Sequence, residues 1–408
     1  MSIIKKYTET SLVLRIVIGL ILGLILALIF PKQEWIGIFG TLFVGALKAV
    51  APVLVFVLIS SSLAQSRQKM GKEFLTIIFL YFISTYLAAC VAVLASYMFP
   101  VTLTQFATSA DATSAPQSLG DVFTTLLSNL IANPIDSIAN GNYLGILFWS
   151  LVFGIAFRHA SDSSKKFLSD VSDAVTMTIR WVINFAPFGI MGLMFTAISS
   201  SGISIFRDYG KLVLLLVGCM LTSALIINPI IAFICIRKNP YPLVFKCLKN
   251  SGITAFFTRS SAANIPVNME LCEELGLNRE IYSVSIPLGA TVNMDGAAVT
   301  ITVMTLAAAH TQGIHVFIPL AILLSVMSAL GAAGTSGVAG GSLLLIPMAC
   351  SLFGISSDVA MQVVGVGFIV GVIQDSMETM VNSSSDVLFT AVAELRQRRL
   401  RGEEVTWN

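Results

Sequence analysis

Charged residues are scarce in this sequence. Of 408 residues, 24 are Lys or Arg and 22 are Asp or Glu, so 11% of the chain is charged, whereas 56% is hydrophobic. Soluble domains carry about 25% charged residues. This deficit, with a mean hydropathy of +0.87, excludes an ordinary soluble protein. The composition predicts a multispanning helical membrane protein, and the lack of a basic block excludes nucleic acid as a partner.

Patterns for metals and disulfides are also missing. The sequence has 3 histidines, and its 6 cysteines are scattered among apolar stretches without a Cys-x-x-Cys spacing. We interpret the cysteines as small buried hydrophobic residues, and we expect neither a disulfide framework nor a metal site built from them. The apolar run from Leu12 to Phe30 lacks a small-residue cleavage site, so we interpret it as a membrane helix and not as a cleaved signal.

Long apolar runs, in contrast, recur along the chain. A helix needs about 20 mainly apolar residues to cross a bilayer. We therefore predict spans near residues 12–30, 36–65, 74–99, 141–157, 167–199, 210–236, 281–309 and 358–394. Two further stretches, 243–275 and 317–355, are interrupted by small and polar residues, and 100–142, which lacks Lys and Arg, is expected to be an external loop with a short helix.

The basic residues predict the orientation. With cytoplasmic termini, most of the 24 Lys and Arg residues fall in inner loops, provided that each interrupted stretch enters and leaves on one side. The first stretch then enters from the cytoplasm and the second from outside, so both are re-entrant hairpins. Each precedes a helix with polar residues, which is the layout of an inverted repeat with its binding sites near the membrane midplane.

A polar stripe runs along the last apolar segment. Glu378, Thr379, Asn382 and Asp386 follow Asp375 at spacings of three, four, seven and eleven residues, which puts them along one helix face. Each carboxylate at the centre of a membrane helix costs roughly 2.5 to 3.5 kcal/mol. The stripe therefore indicates a functional site that compensates its charges with cations, donors or a ligand.

Two other clusters carry polar groups. Asn293 and Asp295 supply hard oxygens inside an apolar segment in which Pro287 can free carbonyls, so a broken helix could hold Na⁺; a packing cluster of hydrogen bonds is the alternative. Arg259 lies at the tip of the first hairpin and has three possible roles. It could neutralise a carboxylate of the stripe, either Glu378 or Asp375. Alternatively, it could face the ligand, or it could be an ordinary cytoplasmic anchor.

Taken together, these motifs resemble the dicarboxylate/amino acid:cation symporters, the glutamate transporter family. The resemblance rests on the Thr-Arg-Ser-Ser tip at 258–261, the Asn-Met-Asp-Gly helix at 293–296, the Gly-rich hairpin at 334–341 and the polar stripe. It implies an all-α membrane protein with eight spanning helices and two re-entrant hairpins, assembled as a homotrimer. It further implies a scaffold of about 1–66 and 110–236, and a mobile transport domain of about 70–100 and 237–395 that moves as an elevator.

The resemblance also assigns roles to residues. Asp375 resembles the partner of the substrate amino group, with Thr379 beside it, and Asn382 and the Ser261 region resemble the partners of the α-carboxylate. The substrate-binding residues implied are Arg259, Ser260, Ser261, Val338, Ser342, Asp375, Glu378, Thr379 and Asn382. The coupling ion implied is Na⁺, in three sites: Gly289, Asn293, Asn382 and Asp386; Thr291, Ala332, Ala333 and Thr335; and Tyr81, Ser84, Thr85, Asn293 and Asp295.

Two departures from the family pattern bear on the substrate. Glu378 stands where members that carry acidic substrates have an arginine, and Ala297 stands where a threonine assists the second carboxylate. Repulsion from Glu378 disfavours acidic substrates, unless Arg259 blunts it. The stripe resembles the bacterial serine/threonine:sodium symporter branch, which implies uptake of small neutral hydroxy amino acids across the bacterial inner membrane.

Other functions remain open at this stage. They are a proton- or sodium-coupled symporter of dicarboxylates or acidic amino acids, an ion channel, and an intramembrane aspartyl hydrolase that uses Asp295 with Asp375. We expect a transporter and not an enzyme, with the lipid bilayer and a small neutral amino acid as its partners.

Overall fold

The structure is a computed structural model that describes residues 10–65, 72–103, 128, 131–202, 205–333 and 340–406. In these residues all regular secondary structure is helical and there is no strand, which confirms the all-α prediction. A helix satisfies its backbone hydrogen bonds within one segment, as lipid requires, so long apolar runs of this kind fold as helices.

The first half of the chain contains several apolar helices, one amphipathic helix, Asp162–Asn184, and one short polar helix, Pro134–Asn140. The helices are α1 (Leu12–Ile29), α2 (Ile38–Gln65), α3 (Lys72–Met98), α4 (Pro134–Asn140), α5 (Tyr143–Phe157), α6 (Asp162–Asn184) and α7 (Ala186–Ser201). A 3₁₀ turn, Glu34–Gly37, leads into α2. The short helix α4 lies in the predicted external loop, most of which falls outside the described residues.

The second half contains several interrupted helices. They are α8 (Ile205–Thr222), α9 (Asn228–Ile236), α10 (Tyr241–Cys247), α11 (Ile253–Thr258), α12 (Ile265–Glu274), α13 (Arg279–Val292), α14 (Asp295–Thr311), α15 (Ile318–Ala332), α16 (Ile346–Ser351) and α17 (Ser357–Leu400). Single π turns join α8 to α9 and α10 to α11, and a 3₁₀ turn, Ser342–Leu345, precedes α16. The interruption predicted in the first stretch is confirmed between Thr258 and Ile265. In the second stretch α15 ends at Ala332, and residues 334–339 of the predicted interruption lie outside the described residues.

Several helical stretches are long and apolar enough to cross a membrane. In the described part there are five, namely Glu34–Gln65, Phe74–Met98, Ile205–Ile236, Arg279–Thr311 and Ser357–Leu400. All five correspond to predicted spans. The predicted spans at 12–30 and 141–157 form the shorter helices α1 and α5, so the count of eight spans stays a prediction.

The predicted single span at 167–199 is wrong in one respect. It is divided into α6 and α7, which are bent by 53° at the break around Phe185. Pro187 lies in the first turn of α7. Proline has no N–H and its ring clashes with the carbonyl four residues earlier, so a straight helix cannot continue through this point.

The surface of the protein carries many large apolar side chains. Leu42, Phe79 and Leu214 are 65%, 65% and 75% exposed, on three different predicted spans. Soluble monomers rarely expose apolar surface of this extent, whereas a lipid environment favours it. The apolar surface supports the prediction of a multi-pass membrane protein.

The helices pack in two groups. In one group α2 contacts α5, α6 and α7, and α7 contacts α1; in the other, α14 and α17 are surrounded by α3, α8 to α13, α15 and α16. Close backbone contact in the first group depends on glycine: a Cβ added to Gly192 would lie 2.4 Å from the backbone N of Gly40. Between the groups, the rings of Phe43 and Phe368 meet at 5.1 Å.

Candidate functional site

The candidate site is built around a break in a buried helix. Helix α13 ends at Val292, Asn293 and Met294 leave the helical conformation, and α14 begins at Asp295, as the sequence predicts. The freed backbone N–H of Gly296 donates to Asn382 Oδ1 of α17 at 2.7 Å. Polar backbone is therefore tolerated at this depth because the stripe on α17 satisfies it.

The predicted stripe is confirmed as a buried polar row on one helix. Asp375, Glu378, Thr379, Asn382 and Asp386 are each no more than 6% exposed. Their side chains reach different neighbours: Asp375 contacts both hairpins, Glu378 contacts α14 and Ser342, and Asn382 and Asp386 contact the break before α14. One helix thus presents separate carboxylates to separate partners.

Arg259 forms an ion pair with Asp375. Its Nε donates to Asp375 Oδ2 at 2.7 Å, and its Nη2 donates to the Gly371 carbonyl at 3.3 Å. The guanidinium side chain is 9% exposed, which excludes the surface-anchor interpretation, and its partner is Asp375 and not Glu378. Arg259 has a left-handed backbone, with φ of 51°, so the tip of the first hairpin holds a conformation that is costly for a non-glycine residue.

A cavity lies against this ion pair. Arg259, Gly340, Gln374 and Asp375 line one side of it, and apolar residues of α1, α6 and α7, such as Ile16, line the other. Gly340, just after the undescribed residues of the second hairpin, donates its N–H to Asp375 Oδ1 at 3.3 Å. Asp375 is therefore reached from both hairpins and from the boundary between the two helix groups.

Glu378 is held by three donors on a single oxygen. Thr300 Oγ1 and Ser342 Oγ each donate to Glu378 Oε2 at 2.8 Å, and Gln374 Nε2 donates to the same oxygen. The carboxylate therefore connects α17 with α14 and the second hairpin. Ser342 is among the residues expected from the sequence, whereas Thr300 and Gln374 are not. Their only signal in the sequence is that they are polar residues in apolar helical segments.

An oxygen-rich cluster surrounds Asp295. Ser84 Oγ lies 2.9 Å from Asp295 Oδ1, 3.0 Å from the Tyr81 carbonyl and 3.5 Å from Asn293 Oδ1. Thr85 Oγ1 lies 2.8 Å from the same carbonyl and 3.1 Å from Asp295 Oδ1. Each hydroxyl has a single hydrogen to donate, so these acceptor contacts outnumber the hydrogens available. Such a cluster suits a hard cation, which prefers oxygen ligands.

A residue that the sequence argument missed completes this cluster. Asn228, at the start of α9, donates its Nδ2 to Asp295 Oδ2 at 2.9 Å. The signal in the sequence is an Asn-Pro pair inside an otherwise apolar span.

A second group of oxygens surrounds Asp386. Asn293 Nδ2 donates to Asp386 Oδ1 at 2.9 Å, whereas Asp386 Oδ2 is buried and has no hydrogen-bond partner among the described residues. A Cβ added to Gly289 would lie 2.6 Å from Asp386 Oδ1, so only glycine allows the backbone of α13 this close. Asn382 also joins the group, because its carbonyl accepts from Asn293 Nδ2 at 3.2 Å. The four residues expected in this sodium site therefore lie together.

The expected sodium site of Thr291, Ala332, Ala333 and Thr335 stays a prediction, since carbonyl ligands of one cation need no hydrogen bond to one another. Thr291 Oγ1 donates to the Leu288 carbonyl at 2.8 Å. Thr335 and the expected substrate contact Val338 lie outside the described residues.

The remaining expected substrate residues have local partners. Ser260 Oγ accepts from the Ala263 N–H at 3.2 Å, Thr379 Oγ1 donates to the Asp375 carbonyl at 2.7 Å, and Ser261 is 3% exposed. In the described residues, Asn382 Nδ2 has only the weak acceptor Met294 Sδ, at 3.3 Å, and so retains donor capacity.

The cysteines take no part in these contacts. Cys219, Cys247, Cys272 and Cys350 are buried free thiols, as expected for small apolar residues. Cys90 and Cys235, in contrast, are half-buried. In the described part of the chain, no three His, Cys, Asp or Glu side chains gather as a metal site.

Comparison with known proteins extends these observations. The chain is 61% identical over 400 residues to serine/threonine transporter SstT of Bifidobacterium adolescentis, covering 98% of this chain and 93% of that protein. It is 57% identical over 391 residues to the protein of the same name from Streptococcus thermophilus, covering 96% and 97% respectively. The model of the sodium:dicarboxylate symporter family matches residues 12–395. The family resemblance seen in the motifs, and the expectation of a transporter and not an enzyme, are confirmed: this chain belongs to the sodium:dicarboxylate symporter family.

Proposed function

We propose that this protein couples the inward movement of Na⁺ to the uptake of serine and threonine across the bacterial inner membrane. The observation that carries the proposal is the pair of oxygen-rich, hydrogen-poor clusters at Asp295 and Asp386, next to a separate carboxylate, Asp375, that faces a cavity. Two relatives at 57% and 61% identity bear the name serine/threonine transporter, which supports these substrates.

Asp375 is the partner of the substrate amino group. Arg259 neutralises it by an ion pair, and the ammonium group of the substrate takes over one of its oxygens. The amide NH₂ of Asn382 binds the α-carboxylate, since its acceptor in the described structure is the weak thioether of Met294. Thr379, Ser260, Ser261 and the second hairpin close around the substrate. These roles agree with the family resemblance.

Glu378 sets the preference for neutral substrates. Its charge is close to the Asp375 site, so a second carboxylate on the substrate meets repulsion in a poorly hydrated environment. Arg259 does not remove this barrier, because it is bound to Asp375. The hydroxyl of serine or threonine can join the donors Thr300 and Ser342 around Glu378. Repulsion from Glu378 therefore disfavours the alternative of a dicarboxylate symporter.

The sodium ions bind where acceptors exceed donors. One site uses Gly289, Asn293, Asn382 and Asp386, and a second uses Tyr81, Ser84, Thr85, Asn293 and Asp295. A third, formed by Thr291, Ala332, Ala333 and Thr335, assembles when the second hairpin closes. These assignments rest on the family pattern, and the contacts at Asp295 and Asp386 support the first two.

Transport occurs by an elevator movement in a homotrimer with cytoplasmic termini. Each protomer has eight spans and two re-entrant hairpins, arranged as inverted repeats. The scaffold comprises α1, α2 and α5 to α7, and the transport domain comprises α3 and α8 to α17. We therefore assign 205–236 to the transport domain and not to the scaffold, because α8 and α9 pack against α14 and α17.

The coupling is energetically sufficient. Concentrating an uncharged amino acid a thousandfold takes about 4.1 kcal/mol. One Na⁺ moving down 100 mV releases about 2.3 kcal/mol, and a tenfold gradient adds about 1.4 kcal/mol. Two ions exceed the requirement, so concentrative uptake is compatible with two occupied sodium sites and also with three.

An aspartyl hydrolase requires two aspartates that share a proton. Asp295 is bound to Ser84, Thr85 and Asn228, whereas Asp375 is bound to Arg259. Their separate partners give no support to that alternative.

Uptake by the purified protein in liposomes tests the proposal. An inward Na⁺ gradient should drive accumulation of labelled serine, with competition by threonine and little by aspartate, and K⁺ should not replace Na⁺. Asp386→Asn serves as the loss-of-function comparison, because it keeps the shape of the side chain but removes the charge of a proposed sodium ligand. Accumulation driven by a pH gradient without Na⁺, or stronger competition by aspartate than by threonine, would contradict the proposal.

A further inference from the structure

Asn228 is a buried polar residue in a span that supplies none of the residues assigned above to the substrate or sodium sites. It begins α9, in the apolar stretch Ile205–Ile236, and is 2% exposed. Its Nδ2 donates to Asp295 Oδ2 at 2.9 Å, across 67 residues of sequence. An amide buried in an apolar span costs free energy unless it is paired, so its pairing with this particular carboxylate calls for an explanation.

A π turn directs Asn228 toward Asp295. The turn covers Ser223–Ile227, and the N–H of Asn228 donates to the Ser223 carbonyl, five residues earlier. Such a turn inserts one residue and rotates the helix that follows, and turns of this kind are frequent at functional sites. Pro229 follows in the first turn of α9. A regular helix would present a different face of α9 to Asp295.

The two oxygens of Asp295 have different surroundings. Asn228 holds Oδ2, whereas Oδ1 faces the hydroxyls of Ser84 and Thr85, which have too few hydrogens for their acceptors. A donor that fixes one carboxylate oxygen orients the other toward a cation, as outer partners of metal ligands do. Asn228 Oδ1 is buried without a hydrogen-bond partner in the described part of the chain. Leaving a buried acceptor unpaired costs free energy, so the side chain keeps its donor on Asp295 although its own oxygen stays unsatisfied.

We infer that Asn228 is a positioning residue of the sodium site at Asp295, an inference that rests on the proposed sodium coupling. It acts through Asp295 and does not contact the substrate. Because it begins α9, it also connects the span Ile205–Ile236 to the ion site.

Sodium binding without substrate tests this role directly. The thermal stability of the purified protein is measured against NaCl concentration, with choline chloride keeping the ionic strength constant. A ligand of the native state adds RT ln(1 + [L]/Kd) to the free energy of unfolding, so a fit of the curve gives the sodium Kd, called here the sodium midpoint. Asn228→Leu removes the donor at similar volume, and the sodium midpoint should rise about 10- to 100-fold, as for other outer partners of metal ligands. Asn228→Gln keeps an amide and should recover most of the affinity.

A second readout separates positioning from a general structural role. At saturating Na⁺, the affinity of Asn228→Leu for serine should stay within about twofold of the wild type, because the side chain of Asn228 donates to Asp295 and not to a residue assigned to the substrate. Thr222→Val is the matched control: its hydroxyl lies on the same span and donates to the Gly218 carbonyl, so its sodium midpoint should not move. If Asn228→Leu does not fold, Asn228→Ala provides the same comparison with a smaller side chain.

The outcomes distinguish the two proposals. If the wild-type protein shows no sodium-specific stabilisation, sodium coupling itself is wrong. If the wild type shows it and Asn228→Leu or Asn228→Ala keeps the same sodium midpoint, the positioning role alone is overturned. Equal losses in Asn228→Gln and Asn228→Leu would also contradict it, since the amide would then make no difference.

Discussion

Replacing Asp375 with Asn removes the proposed contact for the substrate amino group while keeping the shape of the side chain. Asp375 accepts from Arg259 at 2.7 Å and from the N–H of Gly340 at 3.3 Å, and its side chain is 5% exposed. A hydrogen bond to a charged partner contributes about 1.5 to 3 kcal/mol. Since about 1.4 kcal/mol is a factor of ten in affinity, Asp375→Asn should weaken serine binding roughly 10- to 100-fold.

The same substitution leaves Arg259 as a buried charge without its counter-ion. Breaking a buried ion pair on one side costs about 3 to 5 kcal/mol, so the thermal stability of the substrate-free protein should fall. Adding Arg259→Gln to Asp375→Asn removes that uncompensated charge. The double variant should therefore recover thermal stability but not serine affinity, which separates the structural role of the pair from binding.

Calorimetric titration of serine in saturating Na⁺ gives the affinity, and a thermal melt gives the stability. Asp358→Asn is the matched control, because Asp358 lies on the same helix but forms a surface ion pair with Lys48 at 78% side-chain exposure. Such surface pairs contribute about 0 to 1 kcal/mol. Serine affinity within twofold of wild type in folded Asp375→Asn, or its recovery in the double variant, would refute the assignment.

Three further predictions follow from named contacts. Glu378→Arg should lower serine uptake about tenfold or more, because it replaces an acceptor of three donors, and should increase competition by aspartate; unchanged selectivity would show that Glu378 does not face the ligand. Gly289→Ala should weaken sodium-dependent stabilisation, since its Cβ would lie 2.6 Å from Asp386 Oδ1. Gly192→Ala should lower thermal stability by about 1 to 3 kcal/mol through overpacking, whereas Gly218→Ala, which meets nothing within 4 Å, should not; equal melting temperatures would contradict this.

The broken helix and the buried stripe could be read from the sequence because their causes are local. Asn293 and Asp295 interrupt an apolar run after Pro287, and the spacing from Asp375 to Asp386 follows one helix. Charge inside such a run is costly wherever the fold puts it, so a functional site was predictable. Pro187 was an equally local signal for the bend before α7. The single span was predicted from the length of the apolar run, and the proline was not given enough weight.

Partners across the fold could not be read in this way. Arg259 and Asp375 are 116 residues apart, and either Glu378 or Asp375 was a chemically reasonable counter-ion. The contact of Asn228 with Asp295 depends on a π turn, which no composition or periodicity indicates.

The helical membrane class and the buried carboxylates that need compensation could be predicted from hydropathy, helix periodicity and the cost of charge in an apolar environment. The family could be predicted from its motifs. Three pairings became visible only in the folded chain: Arg259 neutralises Asp375, three donors hold Glu378, and α9 reaches the ion site. The physical reason is that a side chain of a given charge has many acceptable partners, and packing alone selects which of them comes within hydrogen-bonding distance.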